Sequence, residues 1–139
     1  MATTVNGDDI DFVKKLGADE VINYKTQAFD TLLKDYDAVY DTVGGETAKK
    51  SFAVLKPGGI LVSMLGAPDE TLAKEKNITA VGQRTDTNTK HLARLSELVD
   101  SGKIKVSIET VYPLDAIKDA AADQETHPQG KIVLTMKKT

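Results

Sequence analysis

Residues 37–64 read DAVYDTVGGETAKKSFAVLKPGGILVSM, and the fold class follows from that stretch. Asp37-Ala38-Val39-Tyr40-Asp41 is a short strand-forming run that ends on a carboxylate, and Val43-Gly44-Gly45 supplies a turn. Ala48, Phe52 and Leu55 then recur at i, i+4 and i+7, the spacing of a helix that begins near Glu46 and is stopped by Lys56-Pro57-Gly58-Gly59. Ile60-Leu61-Val62-Ser63-Met64 follows as a near-continuous apolar run, the pattern of a strand covered on both faces. Strand, helix and buried strand in that order predict a βαβ unit, hence an α/β fold with a largely parallel sheet.

The alternation extends outward in both directions. Upstream, Ile10, Phe12, Val13 and Leu16 make the apolar face of a helix over residues 9–16, with Asp8 as N-cap and Gly17 just past its end. Glu20-Val21-Ile22-Asn23 reads as a buried strand, and a weakly amphipathic helix is expected over residues 26–33. Downstream, a loop through Gly66-Ala67-Pro68 leads to a strand at Ile78-Thr79-Ala80-Val81. Thr87 or Asn88 then caps a helix carrying Leu92, Leu95, Leu98 and Val99, which ends at Ser101-Gly102. Residues 106–111 alternate as a strand, Leu114, Ile117 and Ala121 mark a short helix, and Lys131-Ile132-Val133-Leu134-Thr135 is the last strand.

Composition narrows the function classes. The chain has 139 residues, 40% hydrophobic and 28% charged, which is enough for one ordinary core and too apolar for disorder. Eighteen Lys and Arg stand against 21 Asp and Glu, and the net charge of −3 with no basic stripe argues against a nucleic-acid partner. No run approaches the roughly 20 apolar residues of a membrane span, and Met1-Ala2-Thr3-Thr4 lacks the features of a signal peptide, so the expected compartment is the cytoplasm. Zero cysteines remove disulfides, thiolate nucleophiles and cysteine-based zinc sites.

In an open parallel sheet, ligands bind outside the carboxyl ends of the strands. Two loops there have the right composition: Asp41-Thr42-Val43-Gly44-Gly45, whose glycines let backbone approach a ligand, and Leu65-Gly66-Ala67-Pro68. Neither a G-x-G-x-x-G phosphate fingerprint nor a P-loop occurs. His91 and His127 read as surface histidines, because neither has a neighbouring Ser, Cys or carboxylate at triad or metal spacing. Asp35, Asp37 and Asp41 read as solvated or strand-end carboxylates, and Tyr24 as either packing or a ring beside a flat ligand. No catalytic residue and no metal ligand is assigned.

Four segments taken in order resemble the medium-chain dehydrogenase/reductases, in particular their zinc-independent, quinone oxidoreductase-like branch. They are Leu16-Gly17-Ala18-Asp19-Glu20-Val21-Ile22-Asn23-Tyr24, then Tyr40-Asp41-Thr42-Val43-Gly44-Gly45-Glu46, then Leu55-Lys56-Pro57-Gly58-Gly59 with Ser63, then Gly130-Lys131-Ile132-Val133-Leu134. The resemblance implies a C-terminal portion of such an enzyme, a partial doubly wound, Rossmann-type sheet without the first strand, its glycine-rich loop and the catalytic domain. Residues 1–104 would be the incomplete dinucleotide-binding domain, and residues 105–139 would belong with the catalytic domain. The implied cofactor is NADP or NAD, with binding weak or absent in the isolated chain. Thr4, Val5 and Asn6 would lie at the adenosine ribose and Tyr24 beside a 2′-phosphate, although Asp8 and Asp9 disfavour that extra phosphate. Thr42, Val43 and Gly44 would pass the cofactor, while Leu65, Gly66, Val81, Gly82 and Gln83 would approach the nicotinamide.

The implied reaction is hydride transfer to a small-molecule quinone or enone, with this chain inactive alone and completed by self-association or by another subunit. Two alternatives stand beside it. A methyltransferase using S-adenosylmethionine would also place Tyr36-Asp37-Ala38-Val39-Tyr40 before Leu55-Lys56-Pro57-Gly58-Gly59, and a non-catalytic nucleotide-binding or assembly module would need no active-site residues.

Overall fold

The computed structural model describes residues 1–136. It is an α/β structure of parallel strands in two compact units, Met1–Asp86 and Thr87–Thr139. The sequence-based cut at 104/105 falls inside the second unit.

In the first unit, β1 (Ala2–Val5) pairs in parallel with β2 (Glu20–Asn23), in a register that sets Val5 opposite Asn23. A second sheet has the order β3 (Tyr36–Asp41), β4 (Leu55–Ser63), β5 (Thr79–Gly82), all parallel, with Asp41 opposite Ser63 and Ser63 opposite Gly82. The helices are α1 (Ile10–Lys15), a single turn α2 (Phe29–Leu32), α3 (Gly45–Ser51) and α4 (Glu70–Glu75). The apolar run of β4 is the axis of the core: Leu61 packs with Phe52, Leu55, Ala73 and Ile78. A second cluster of Ile22, Leu33 and Val54 gathers Ala2, Phe29, Tyr36 and Val39, so it ties β1 and β2 to the wider sheet through α2 and the end of α3.

Several local expectations are corrected. The first helix opens as a 3₁₀ turn at Gly7–Asp9, and Asp8 does not cap α1. The helix expected over 26–33 shrinks to one turn, since its weak apolar stripe gives only Phe29 and Leu33 something to pack against. Leu55 is not helical. α3 stops at Ser51 and Leu55 already begins β4, where the register skips from Tyr36–Leu55 to Ala38–Ile60 to accommodate Pro57-Gly58-Gly59. The helix α4 went unread. Its signal is Asp69 after Pro68, an N-cap whose carboxylate accepts from the Thr71 and Leu72 amides.

The second unit comprises α5 (Thr89–Asp100), capped by Asn88 as expected, followed by β6 (Ile108–Pro113), α6 (Ile117–Gln124) and β7 (Lys131–Thr135). β6 and β7 run parallel with α6 as the crossover. α6 turns Ala120 inward rather than Ala121, because a 3₁₀ turn at Leu114–Ala116 precedes it and shifts the helical phase.

Candidate functional site

The sequence-selected residues fall into two groups, both at carboxyl ends of strands in the first unit. Thr4 lies on β1, Asn6 follows that strand and Tyr24 follows β2. Because Val5 stands opposite Asn23, Asn6 and Tyr24 leave the sheet side by side, and the Tyr24 amide donates to the Val5 carbonyl at 3.1 Å. The Tyr24 ring is exposed, so it is not core packing.

The second group gathers at the exits of β3, β4 and β5. Gly44 has φ +76°, and a Cβ there would sit 3.0 Å from that of Leu65, so the first two exit loops touch. A Cβ on Gly82 would approach the Ala67 backbone at 2.8 Å, which brings the third exit against the second. The Gln83 amide donates to the Ser63 carbonyl at 2.8 Å and extends that join. Thr42, Val43, Gly44, Leu65, Gly66, Gly82 and Gln83 are therefore assembled into one rim. A cavity of about 270 Å3 beneath it is lined by Gly44, Ser63, Leu65 and Gly66, among others. Val43 and Leu65 present their apolar side chains outward.

Sequence reasoning passed over the group that holds this rim. Asp41 is only 4% exposed. Its carboxylate accepts from the Val43 amide at 3.1 Å, from the Gly44 amide at 3.0 Å and from the Ser63 hydroxyl at 2.7 Å. Ser63 in turn accepts from the Leu65 amide at 3.3 Å. One buried carboxylate thus fixes the first loop directly and the second through Ser63. Burial pushes the Asp41 pKa up and is the largest single influence, but the Gly44 amide, the Ser63 hydroxyl and the Val43 amide together hold it below the ordinary value. The available signal was a carboxylate two and three residues before amides that turn back over it, the pattern of an Asx turn, with a serine ending the next strand. Asp37, by contrast, pairs with Lys56 in solvent. His91 belongs to the cap of α5, its amide donating to Asn88. Among the described residues no group of three or more His, Cys, Asp or Glu is placed to hold a metal ion. Among them, too, no helix is long and apolar enough to cross a membrane.

Parallel strands alternating with helices, with the exit loops gathered at their carboxyl ends, make an α/β fold of the Rossmann type. Comparison with known proteins agrees. The sequence profile of the family described as zinc-binding dehydrogenase matches residues 16–134. The chain is 30% identical over 133 residues to a probable zinc-binding oxidoreductase, mitochondrial, of Arthroderma benhamiae, covering 89% of this chain and 40% of that one. It is also 30% identical over 139 residues to the NADPH-dependent alkenal/one oxidoreductase, chloroplastic, of Arabidopsis thaliana, covering 96% and 33%. The quinone oxidoreductase from Coxiella burnetii superposes with a TM-score of 0.84 at 31% identity, over 98% of this chain and 44% of that one. The chain belongs to the medium-chain dehydrogenase/reductase superfamily, in its quinone oxidoreductase-like branch. It spans 40% and 33% of the length of the two curated relatives. The methyltransferase alternative gives way to that membership.

Proposed function

We propose that this chain forms the cofactor-facing wall of a cytoplasmic NAD(P)H-dependent oxidoreductase that reduces a quinone or an activated alkene, and that it does not turn over alone. The observation that carries the reading is the rim at the exits of β3, β4 and β5, where Gly44, Leu65 and Gly82 bring three loops together around the buried Asp41–Ser63 pair. The residues fit the two ends of a dinucleotide. Exposed Val43 and Leu65 suit the flat apolar face of a nicotinamide, and Tyr24 beside Asn6 suits the adenosine end. They do not supply a pyrophosphate cradle, since no glycine-rich fingerprint follows a strand.

The nicotinamide, when bound, supplies the hydride. The chain's own part is positional. Asp41 and Ser63 keep the first two exit loops in a fixed spacing, and Leu65 and Val43 exclude water from the ring they face. Fast transfer needs donor and acceptor in near-attack geometry, and one wall does not impose it. Without the pyrophosphate contacts, each worth about 1.5–3 kcal/mol when charge-assisted, affinity falls to millimolar or weaker. Titration of the labelled chain with NADPH is expected to move the amides of Thr42, Val43, Gly44, Leu65 and Gly66 only at millimolar cofactor, with no oxidation of NADPH by a quinone. A micromolar dissociation constant by calorimetry, or turnover like that of a full-length relative, overturns the reading.

A further inference from the structure

Asn6, Asn23, Asn77 and Asn88 are the asparagines of the chain, and Asn6 alone precedes a glycine. An asparagine loses its side-chain amide when the backbone nitrogen of the next residue attacks its Cγ, so it is protected where either that nitrogen or the carboxamide is held. At Asn23 the following amide, that of Tyr24, donates to the Val5 carbonyl at 3.1 Å. At Asn77 the Ile78 amide donates to the Ala73 carbonyl at 2.8 Å. At Asn88 the carboxamide itself is engaged, its Oδ1 accepting from the His91 amide at 3.0 Å as the cap of α5.

Asn6 has neither restraint. It stands at the N-cap position of the 3₁₀ turn Gly7–Asp9, yet its side chain accepts no capping hydrogen bond, and its Nδ2 meets Asp8 Oδ2 at 3.4 Å, beyond the ordinary hydrogen-bond range. The Gly7 amide opens that turn, where a helix offers no acceptor of its own. Gly7 brings no side chain to obstruct the approach, and the fold favours that choice, since a Cβ there would lie 2.8 Å from Asn23 Nδ2. Asn6 is extended at ψ 152°, so ring closure requires its backbone to turn. The hold against that motion is a 3.0 Å hydrogen bond from the Asp9 amide to the Asn6 carbonyl, in a turn that buries no residue. Segments of that kind open at little cost.

We propose that Asn6–Gly7 is a self-modification site of the folded chain, at which Asn6 is converted into aspartate and isoaspartate. The Gly7 nitrogen gives its proton to solvent base and bonds to Asn6 Cγ, and the Cγ–Nδ2 bond breaks to release ammonia. The cyclic imide then takes up water. Addition at Cγ breaks the new bond and leaves aspartate, whereas addition at the backbone carbonyl leaves Gly7 joined through the side chain as isoaspartate. No atom changes oxidation state, and water is the co-reactant. Either product adds a carboxylate next to Asp8 and Asp9 at the exit of β1, and isoaspartate also lengthens the backbone there by a methylene. The reaction is independent of the redox reading, because the reacting groups all belong to this chain.

The test keeps the folded 139-residue chain in buffer over a range of pH, with a peptide of residues 3–9 beside it, and reads each asparagine by peptide mapping and mass spectrometry. Conversion at residue 6 is expected, faster at higher pH because the deprotonated amide is the nucleophile, while Asn23, Asn77 and Asn88 stay unchanged over the same period. Gly7→Ala is expected to slow it about tenfold, since a Cβ narrows the range of the backbone and crowds the closing ring. If crowding against Asn23 unfolds that variant, Asn6→Gln serves in its place. Its longer side chain would have to close a less favourable six-membered ring, and the mass gain of the chain is expected to vanish. Four results each overturn the proposal: Asn6 intact in the folded chain after the peptide has converted fully, equal conversion at another asparagine, Gly7→Ala converting as fast as the parent, or a mass gain that persists in Asn6→Gln.

Discussion

Phe52 and Leu61 in the first unit are 1% and 0% exposed, whereas Leu95 on α5 and Ile108 on β6 in the second are 50% and 54% exposed. The two units have similar proportions of apolar residues in their helices and strands, yet only one of them has a core. The difference is one of layers. β4 is flanked by strands on both edges and packed by residues from the ends of α3 and α4, so its side chains have cover. A two-stranded sheet with one crossover helix buries a single alanine, Ala120, among its described residues. An apolar pattern therefore reports a demand for cover, and whether the demand is met depends on how many layers the fold assembles around it.

The largest effect should come from the bulkiest of the fully covered side chains. Phe52→Ala is expected to lower the stability of the first unit by about 3–5 kcal/mol, read by urea unfolding. A cost near that of a surface substitution would show that the core is not where the buried side chains place it.

Next comes Asp41, whose removal leaves the Val43 and Gly44 amides without their acceptor. Asp41→Ala is expected to cost about 3 kcal/mol, and Ser63→Ala about 1 kcal/mol, because the serine contributes one bond of the set. The sign of the pH dependence follows from the folded-state pKa lying below the ordinary value. An unfolded aspartate titrates near 3.9, so the stabilisation is complete well above that pH. It drains away as pH falls through the lower folded value. Urea unfolding of both proteins should show the gap between wild type and Asp41→Ala narrowing only below about pH 4. A gap that closes between pH 6 and 7 would sink the assignment.

The smallest effect belongs to the uncovered unit. Leu95→Ala is expected to change stability by no more than about 0.5 kcal/mol in urea unfolding of the isolated chain, since it removes little buried surface. A cost of about 2 kcal/mol or more would mean that α5 is covered in solution, and the contrast between the units would disappear.

Much of the fold was legible because it is local. The βαβ alternation, the strands at Glu20–Asn23 and Lys131–Thr135 and the Asn88 cap depend on side-chain period, turn residues and one hydrogen bond to a near neighbour. Likewise the family is written in short segments, from Leu16-Gly17-Ala18 to Gly130-Lys131-Ile132, that a reader meets in order along the chain. The end of α3 was not local. Ala48, Phe52 and Leu55 are spaced as a helix and all three are buried, but Leu55 is delivered by β4, and burial alone does not reveal which element delivers a residue.

By itself, then, the order of residues determined the class of fold, the family and the positions of the loops that leave each strand. Tertiary structure alone decided what those loops do to one another. Asp41 and Ser63 are 22 positions apart in the chain and 2.7 Å apart in space, because parallel pairing of β3 with β4 sets them opposite.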